Sequence, residues 1–240
     1  MDRIEACFQE VRAFCQQHAD PALVQKYQHY FKEGYDAYGL DQKLMELQRD
    51  AWLRAWKGEL GAEGLLSLGD RLVRTGKYEE ASFALWFAEK LAKEYTPAMF
   101  ERLGGWLDDG VCNWAHSDMM SGTILFQFIQ RGVVSLPDFA LWLIAESKWK
   151  RRAAAVSWIK PAKKMDDVQP LLDSFAPLMS DGEKVVHQGM GWLLRELWKK
   201  QPAPVMDYLL TWKDTCPRLI IQYASEKMTP EDKAQLKRGK

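Results

Sequence analysis

Apolar side chains recur at i, i+3, i+4 and i+7 in one segment of the chain after another, the spacing that gathers them on one face of a helix. The pattern predicts helices over 2–18, 22–33, 41–57, 62–75, 78–94, 97–108, 113–131, 136–146, 148–160, 166–179, 183–200, 203–213, 215–227 and 230–238. Breaks fall at "ADPA" (19–22), "RTGKY" (74–78), "EYTPA" (94–98), "VSLPD" (134–138), "IKPAKK" (159–164), "KQPAP" (200–204) and "MTPED" (228–232), where proline, glycine and capping residues stop a helix. Long β-branched alternation is missing, and the Asp-Gly pairs at 109–110 and 181–182 lie between helical patterns. Helix, short link and helix, with pairs about 35–45 residues apart, is the spacing of an all-α protein, an α-solenoid of HEAT-like helix pairs with a concave binding groove. No structureless linker interrupts it, so a single domain over 1–240 is expected.

Three helices carry a residue that does not fit its stripe. In 183–200 the apolar stripe is Val186, Met190, Leu193, Leu194 and Leu197, and Trp192 lies roughly 140° away, with Gln188, Arg195, Glu196 and Lys199. An indole there either packs on a neighbouring helix or serves as a stacking platform. In 148–160 the stripe is Trp149, Ala153, Val156 and Ile159, and Arg152 falls within its arc. It is either half of a structural ion pair or a planar fork aimed at phosphate. Lys150 and Arg151 point away from the stripe as solvated charges do. With Lys148, Lys160, Lys163 and Lys164 they form a solvated or DNA-facing rim.

The third helix, 113–131, has Met120, Ile124, Leu125, Phe128 and Ile129 as its stripe. Trp114 and Asp118 stand one turn apart near its edge, and Gly122 one turn further leaves room beside the acid. Alternatively, Ser117 or Asp118 is the N-cap of a helix that starts later. His116 points roughly 200° from Trp114, which predicts a surface position on the opposite face.

Charge and composition narrow the function classes. Thirty-three basic and 33 acidic residues give zero net charge in 240 residues, which disfavours a general nucleic-acid binder. The average conceals "SKWKRRAAAVSWIKPAKKM" (147–165), with seven basic residues and no acid. No apolar run reaches the ~18 residues of a membrane span, and the N-terminus lacks an apolar secretory core. Cys7, Cys15, Cys112 and Cys216 form no CxxC pair and lie at no zinc-ligand spacing with His, so reduced thiols and a cytoplasmic location are expected. Nucleophilic triads, P-loops and dinucleotide fingerprints are missing.

Several stretches resemble the AlkD-like DNA alkylation repair glycosylases, a family of HEAT-like repeat proteins. Trp114 and Asp118 in "CNWAHSDMMSG" resemble its aromatic-acid motif. Trp149 and Arg152 in "WKRRAAA" resemble its basic motif, and "MGWLLRELWKKQP", with Trp192, Arg195 and Glu196, its third. "YEEASFALWFAEK" (78–90) looks like the helix before the first motif, and the likeness covers roughly 27–226. Two departures stand out: Ala115 follows the first tryptophan where relatives often carry an acid, and "YGLDQKLMELQRD" lacks the proline and arginine expected there.

The resemblance implies a glycosylase that removes cationic alkylated purines from double-stranded DNA in base excision repair. It implies Asp118 as the carboxylate beside the sugar, with Trp114 and Trp192 as its aromatic neighbours. Arg152 would hold a phosphate, and Lys148, Lys150 and Arg151 would form a basic rim. No metal, organic cofactor or membrane is expected, and the protein is expected to act as a monomer. Two other functions fit the same helices: a non-catalytic HEAT-repeat protein holding damaged or branched DNA, and a protein-binding scaffold, which the neutral charge suits.

Overall fold

The computed structural model of the chain describes residues 2–239. Fourteen α-helices account for most of them, joined by short 3₁₀ segments, and no strand occurs among the described residues. The all-α expectation is met. The backbone packs as two compact units, residues 1–119 and 120–240.

The first unit contains α1 (Arg3–Gln17), α2 (Pro21–Tyr27), α3 (Gln42–Val73), α4 (Tyr78–Glu89), α5 (Pro97–Asp108) and α6 (Trp114–Met119). The helices expected at 41–57 and 62–75 form one run, kinked at Gly61, whose φ of +61° is open to glycine and unfavourable for other residues. α3 packs on α4 through a cluster of large rings. Trp52 stacks on Trp56 with centroids 5.0 Å apart and meets Phe83 edge-on at 5.0 Å. Trp56 meets the buried Phe87 at 6.1 Å. This cluster removes several hundred Å² of apolar surface from water, the main source of stability in such a layer.

Between α2 and α3 the chain leaves helical geometry after a 3₁₀ turn at Gln28–Tyr30. The helix expected to reach residue 33 ends early, and α4 holds the segment that follows. Glu79, buried on α4, accepts from the backbone N–H groups of Tyr38 (2.8 Å), Gly39 (2.7 Å) and Leu40 (3.2 Å). Glu80 accepts from the Tyr38 hydroxyl at 2.7 Å and lies 3.5 Å from Arg12. Gly39 has φ +82°, and a Cβ there would fall 2.2 Å from the Asp20 carbonyl oxygen. No other residue fits that loop without displacing backbone.

The second unit contains α7 (Phe126–Gln130), α8 (Lys148–Ser157), α9 (Ile159–Ala162), α10 (Gln169–Ser174), α11 (Lys184–Trp198), α12 (Pro202–Trp212), α13 (Arg218–Ala224) and α14 (Pro230–Gln235). α11 lies between α8 and α13, and its two glycines set both distances. A Cβ on Gly189 would meet Arg152 Cγ of α8 at 3.1 Å. A Cβ on Gly191 would meet Tyr223 Cβ at 2.5 Å and the Ile220 carbonyl oxygen at 2.9 Å, both on α13. Residues 136–144, expected as α-helix, wind as a 3₁₀ helix opened by Ser135, whose N–H donates to Asp138 Oδ2 at 2.7 Å.

Candidate functional site

α6 begins where it does because of Asn113. Its side-chain oxygen accepts from the His116 backbone N–H at 2.9 Å, and its carbonyl accepts from Ser117 N–H at 3.2 Å. That is an N-cap bond to the third helical residue, so Trp114 is the first residue of the helix. A cap at Ser117 or Asp118 is thereby corrected. Trp114 and Asp118 stand four residues apart on one helical face. Trp114 is 43% exposed and Asp118 is half-buried.

The helix does not continue at regular pitch. Met120–Leu125 form a π-helical turn, which widens the coil and shifts every later residue relative to Asp118. A helix drawn through 113–131 at a constant 100° therefore misplaces its second half. Gly122 sits in the widened turn, with nothing within 4 Å of where a Cβ would be.

His116 is not on the surface. It is buried, stacked on Tyr78 with centroids 4.4 Å apart, with Nε2 2.9 Å from Ser82 Oγ. His116 lies on the face opposite Trp114, but that face packs against α4. Burial pushes the imidazole down to about 3, against the pull of the Tyr78 carbonyl.

Trp114 also closes an aromatic cluster. Its indole N–H donates to the Tyr30 carbonyl at 3.1 Å, and its ring stacks on Phe31 at 5.8 Å and 17°. Phe31 in turn stacks on Tyr35 at 4.5 Å and 8°. These rings border a cavity of ≈ 620 Å³ within the first unit. The helical periodicity gave no sign of it. The available signal was the density of rings in "YQHYFKEGYDAY" (27–38), too polar a stretch to be core.

Arg152 is buried on α8, as a residue within the apolar arc must be, and its Nη1 donates to the Val185 carbonyl at 2.6 Å. Trp192 is half-buried on α11, one turn after the glycine that receives Arg152. The polar face around Trp192 is largely an interface rather than a solvated side. Gln188 donates to the Tyr223 hydroxyl at 3.0 Å, and Arg195 pairs with Glu226. Glu196 is buried; burial alone would raise its carboxyl, but Lys199 at 2.6 Å and Lys163 at 3.1 Å hold it below the ordinary range.

The basic rim changes most. Arg151 is not a solvated charge. Its guanidinium binds Asp181 at 2.5 Å and donates to the carbonyls of Ala145 (2.6 Å) and Glu146 (2.8 Å). Sequence periodicity could not show this, because the acid lies thirty residues away on the turn before α11. Lys148 lies 3.9 Å from Glu183, and Lys150 stands over the Trp142 ring at 5.2 Å. Among the described residues no group of His, Cys, Asp and Glu is arranged to hold a metal ion. No helix among them is long and apolar enough to cross a membrane.

The family model of DNA alkylation repair enzymes matches residues 11–228. This chain belongs to the DNA alkylation repair enzyme family. A solved structure described as "Predicted DNA alkylation repair enzyme from Enterococcus faecalis" has the same fold, with a TM-score of 0.76 over 89% of this chain and 98% of that one, at 17% identity. No curated protein matches the sequence. For a DNA alkylation repair family member, DNA is the partner. Of the four central residues, Trp114 and Asp118 share one helix of the first unit, and Arg152 and Trp192 lie on two packed helices of the second.

Proposed function

We propose that this protein is a DNA glycosylase that hydrolyses the N-glycosidic bond of cationic alkylated purines, of the N3-alkyladenine and N7-alkylguanine type, in base excision repair. The observation that carries the proposal is the Asn113 cap. It starts α6 at Trp114 and so sets an exposed indole and a half-buried carboxylate on one face, in a member of a DNA alkylation repair family.

A cationic alkylpurine leaves without being protonated, so the enzyme has two tasks. It must stabilise positive charge developing on the sugar, and it must position a water. Asp118 is assigned both, as the only carboxylate on the face that carries Trp114. The face of Trp114 attracts the same developing charge and packs on the deoxyribose, and Trp192, half-buried on α11, is assigned a stacking role. Arg152, anchored on the Val185 carbonyl, presents a planar fork to a backbone phosphate, with Lys148 and Lys150 on the same helix adding positive potential. Arg151 is assigned to the fold, because Asp181 and two carbonyls hold it. In this scheme the protein works as a cytoplasmic monomer on double-stranded DNA without a metal or organic cofactor.

Asp118→Asn is the decisive variant. Release of N7-methylguanine and N3-methyladenine from methylated duplex DNA should fall by at least about a hundredfold, the scale of removing a group that acts in the transition state. Melting temperature and duplex affinity should stay near wild type. Equal release by the two proteins would remove Asp118 from the chemistry. No release by wild type would favour a protein that binds damaged DNA without excising the base.

A further inference from the structure

α6 is seated without an apolar stripe. His116 and Ser117 are the buried residues of this short helix, both are polar, and the helix packs on α4. Apolar burial tolerates small rotations of a helix, because it depends on area and has no direction. Hydrogen bonds tolerate them poorly, since they weaken steeply away from their preferred line. The rotation of α6 about its own axis therefore rests on polar contacts.

His116 supplies them. Its ring lies over the first turn of α4. It stacks on Tyr78 with 23° between the planes, and its Nε2 stands 2.9 Å from Oγ of Ser82, one turn further along the same helix face. Its Nδ1 stands 3.0 Å from the Asn113 amide nitrogen, so the ring also ties the cap of α6 to α4. The turn of α4 beneath it is itself held fast. Glu79 binds the backbone N–H groups of Tyr38, Gly39 and Leu40, and Glu80 the Tyr38 hydroxyl.

Ser82, His116 and Asn113 stand in the order of a nucleophilic relay, but their bonds run the other way. The Ser82 hydroxyl donates to the Tyr78 carbonyl at 2.9 Å, which leaves His116 Nε2 to donate and Nδ1 to accept. A ring that carries its proton on Nε2 takes none from the serine. The imidazole is thus unused as a base, and what it holds is the helix. α6 carries Trp114 and Asp118 on one face and His116 on the other, so fixing the buried face aims the outer one.

Small rotations matter here. With its side chains an α-helix is about 10–12 Å across, so a rotation of roughly 10° carries a side-chain tip by about 1 Å. A displacement of that size at a reacting group can cost about a hundredfold in rate.

We infer that His116 is a positioning residue, whose seat on α4 fixes the rotation of α6 and so aims Trp114 and Asp118. That this aim serves base release rests on the proposed function. That His116 sets where Trp114 points does not.

The test compares the full-length wild type with His116→Leu, which keeps the bulk of the side chain and removes both ring contacts. Ser82→Ala removes the Nε2 partner alone and keeps the question open to measurement where the leucine variant does not fold. His116→Gln retains an N–H donor for Ser82. Well below each melting temperature, single-turnover release of N7-methylguanine from methylated duplex should slow at least about tenfold in His116→Leu and Ser82→Ala, with duplex affinity within about twofold of wild type. His116→Gln should recover most of the rate. A second readout involves no bond cleavage. The Trp114 indole N–H resonance, assigned by its loss in Trp114→Phe, should shift in His116→Leu and Ser82→Ala, because its bond to the Tyr30 carbonyl moves with α6. A Trp114 resonance unmoved in both variants, an unchanged release rate in an active protein, or an affinity that falls as far as the rate would overturn the inference. A wild type that releases no base while the resonance still moves refutes the glycosylase alone. A resonance that stays in place while wild type releases bases refutes the positioning role alone.

Discussion

His116 shows how completely a single side chain can be fixed by its neighbours. Asn113 Oδ1 is occupied by the His116 N–H, so its amide nitrogen faces His116 Nδ1 and donates to it at 3.0 Å. The ring proton therefore sits on Nε2, directed at Ser82 Oγ, and the Ser82 hydroxyl donates to the Tyr78 carbonyl at 2.9 Å. Protonating Nδ1 would set two donors against each other in a buried site. In the unfolded chain the imidazole takes up a proton near 6.5, and in the folded chain only near 3. Between those values the unfolded state binds more protons, so the contribution is fully present above about pH 6.5 and is lost as pH falls toward 3. Urea unfolding should show a loss on the order of a few kcal/mol across that window, flattened in His116→Gln. The ring C–H resonances of His116 should stay constant from pH 7 down to about 4.5. A shift of these resonances near pH 6.5 would mean that the site is wet.

At the scale of elements, α11 organises the second unit through side chains it lacks. Gly191 lets α13 approach until a Cβ would overlap both a side-chain carbon and a backbone oxygen, neither of which can swing away. Gly191→Ala should cost about 2 kcal/mol, the overpacking penalty less the small gain in helix propensity. Gly105→Ala in α5 is the matched control. Nothing lies within 4 Å of its Cβ position, so the same substitution should stabilise by about 0.5–1 kcal/mol. Thermal or urea unfolding of the two variants measures the contrast; loss of stability in both would shift the explanation from packing to backbone. The Gly-Met-Gly-Trp run thus has a structural meaning beside its family resemblance. It sets two interhelical distances just before Trp192.

At the scale of the whole molecule, charge is the informative property. The net charge is zero, and the basic run at 147–165 is partly neutralised by acids from other elements: Glu183 near Lys148, Asp181 on Arg151 and Glu196 on Lys163. Affinity for duplex DNA should therefore fall with salt more gently than seven phosphate contacts would give. The expected slope of log K against log salt is about −4 or shallower. Arg152→Gln should reduce its magnitude by about one. Arg151→Gln should leave the slope unchanged and lower the melting temperature by several degrees, because Asp181, half-buried with its side chain covered, loses its partner. Anisotropy titrations at several salt concentrations decide this. A reduced slope in Arg151→Gln would return that residue to the DNA interface.

Local signals along the chain account for the helices and most of their ends. Helical periodicity, capping and the positions of proline and glycine are local properties, expressed within a few residues of where they are read. They sufficed to put Trp114 and Asp118 one turn apart, to place Arg152 on a buried arc and to set Trp192 off its stripe. Tertiary structure decided what those faces meet. The helical angle puts His116 opposite Trp114 and predicts solvent there, but the Tyr78 ring and Ser82 of α4 cover it. Arg151 points off its apolar stripe, which also predicts solvent, but Asp181 claims it. The π turn at 120–125 and the cavity bounded by residues 27–45 depend on packing between segments far apart in the chain. Periodicity shows which side chains share a face, but the partner across that face is set by chain segments whose distance along the sequence carries no local signal.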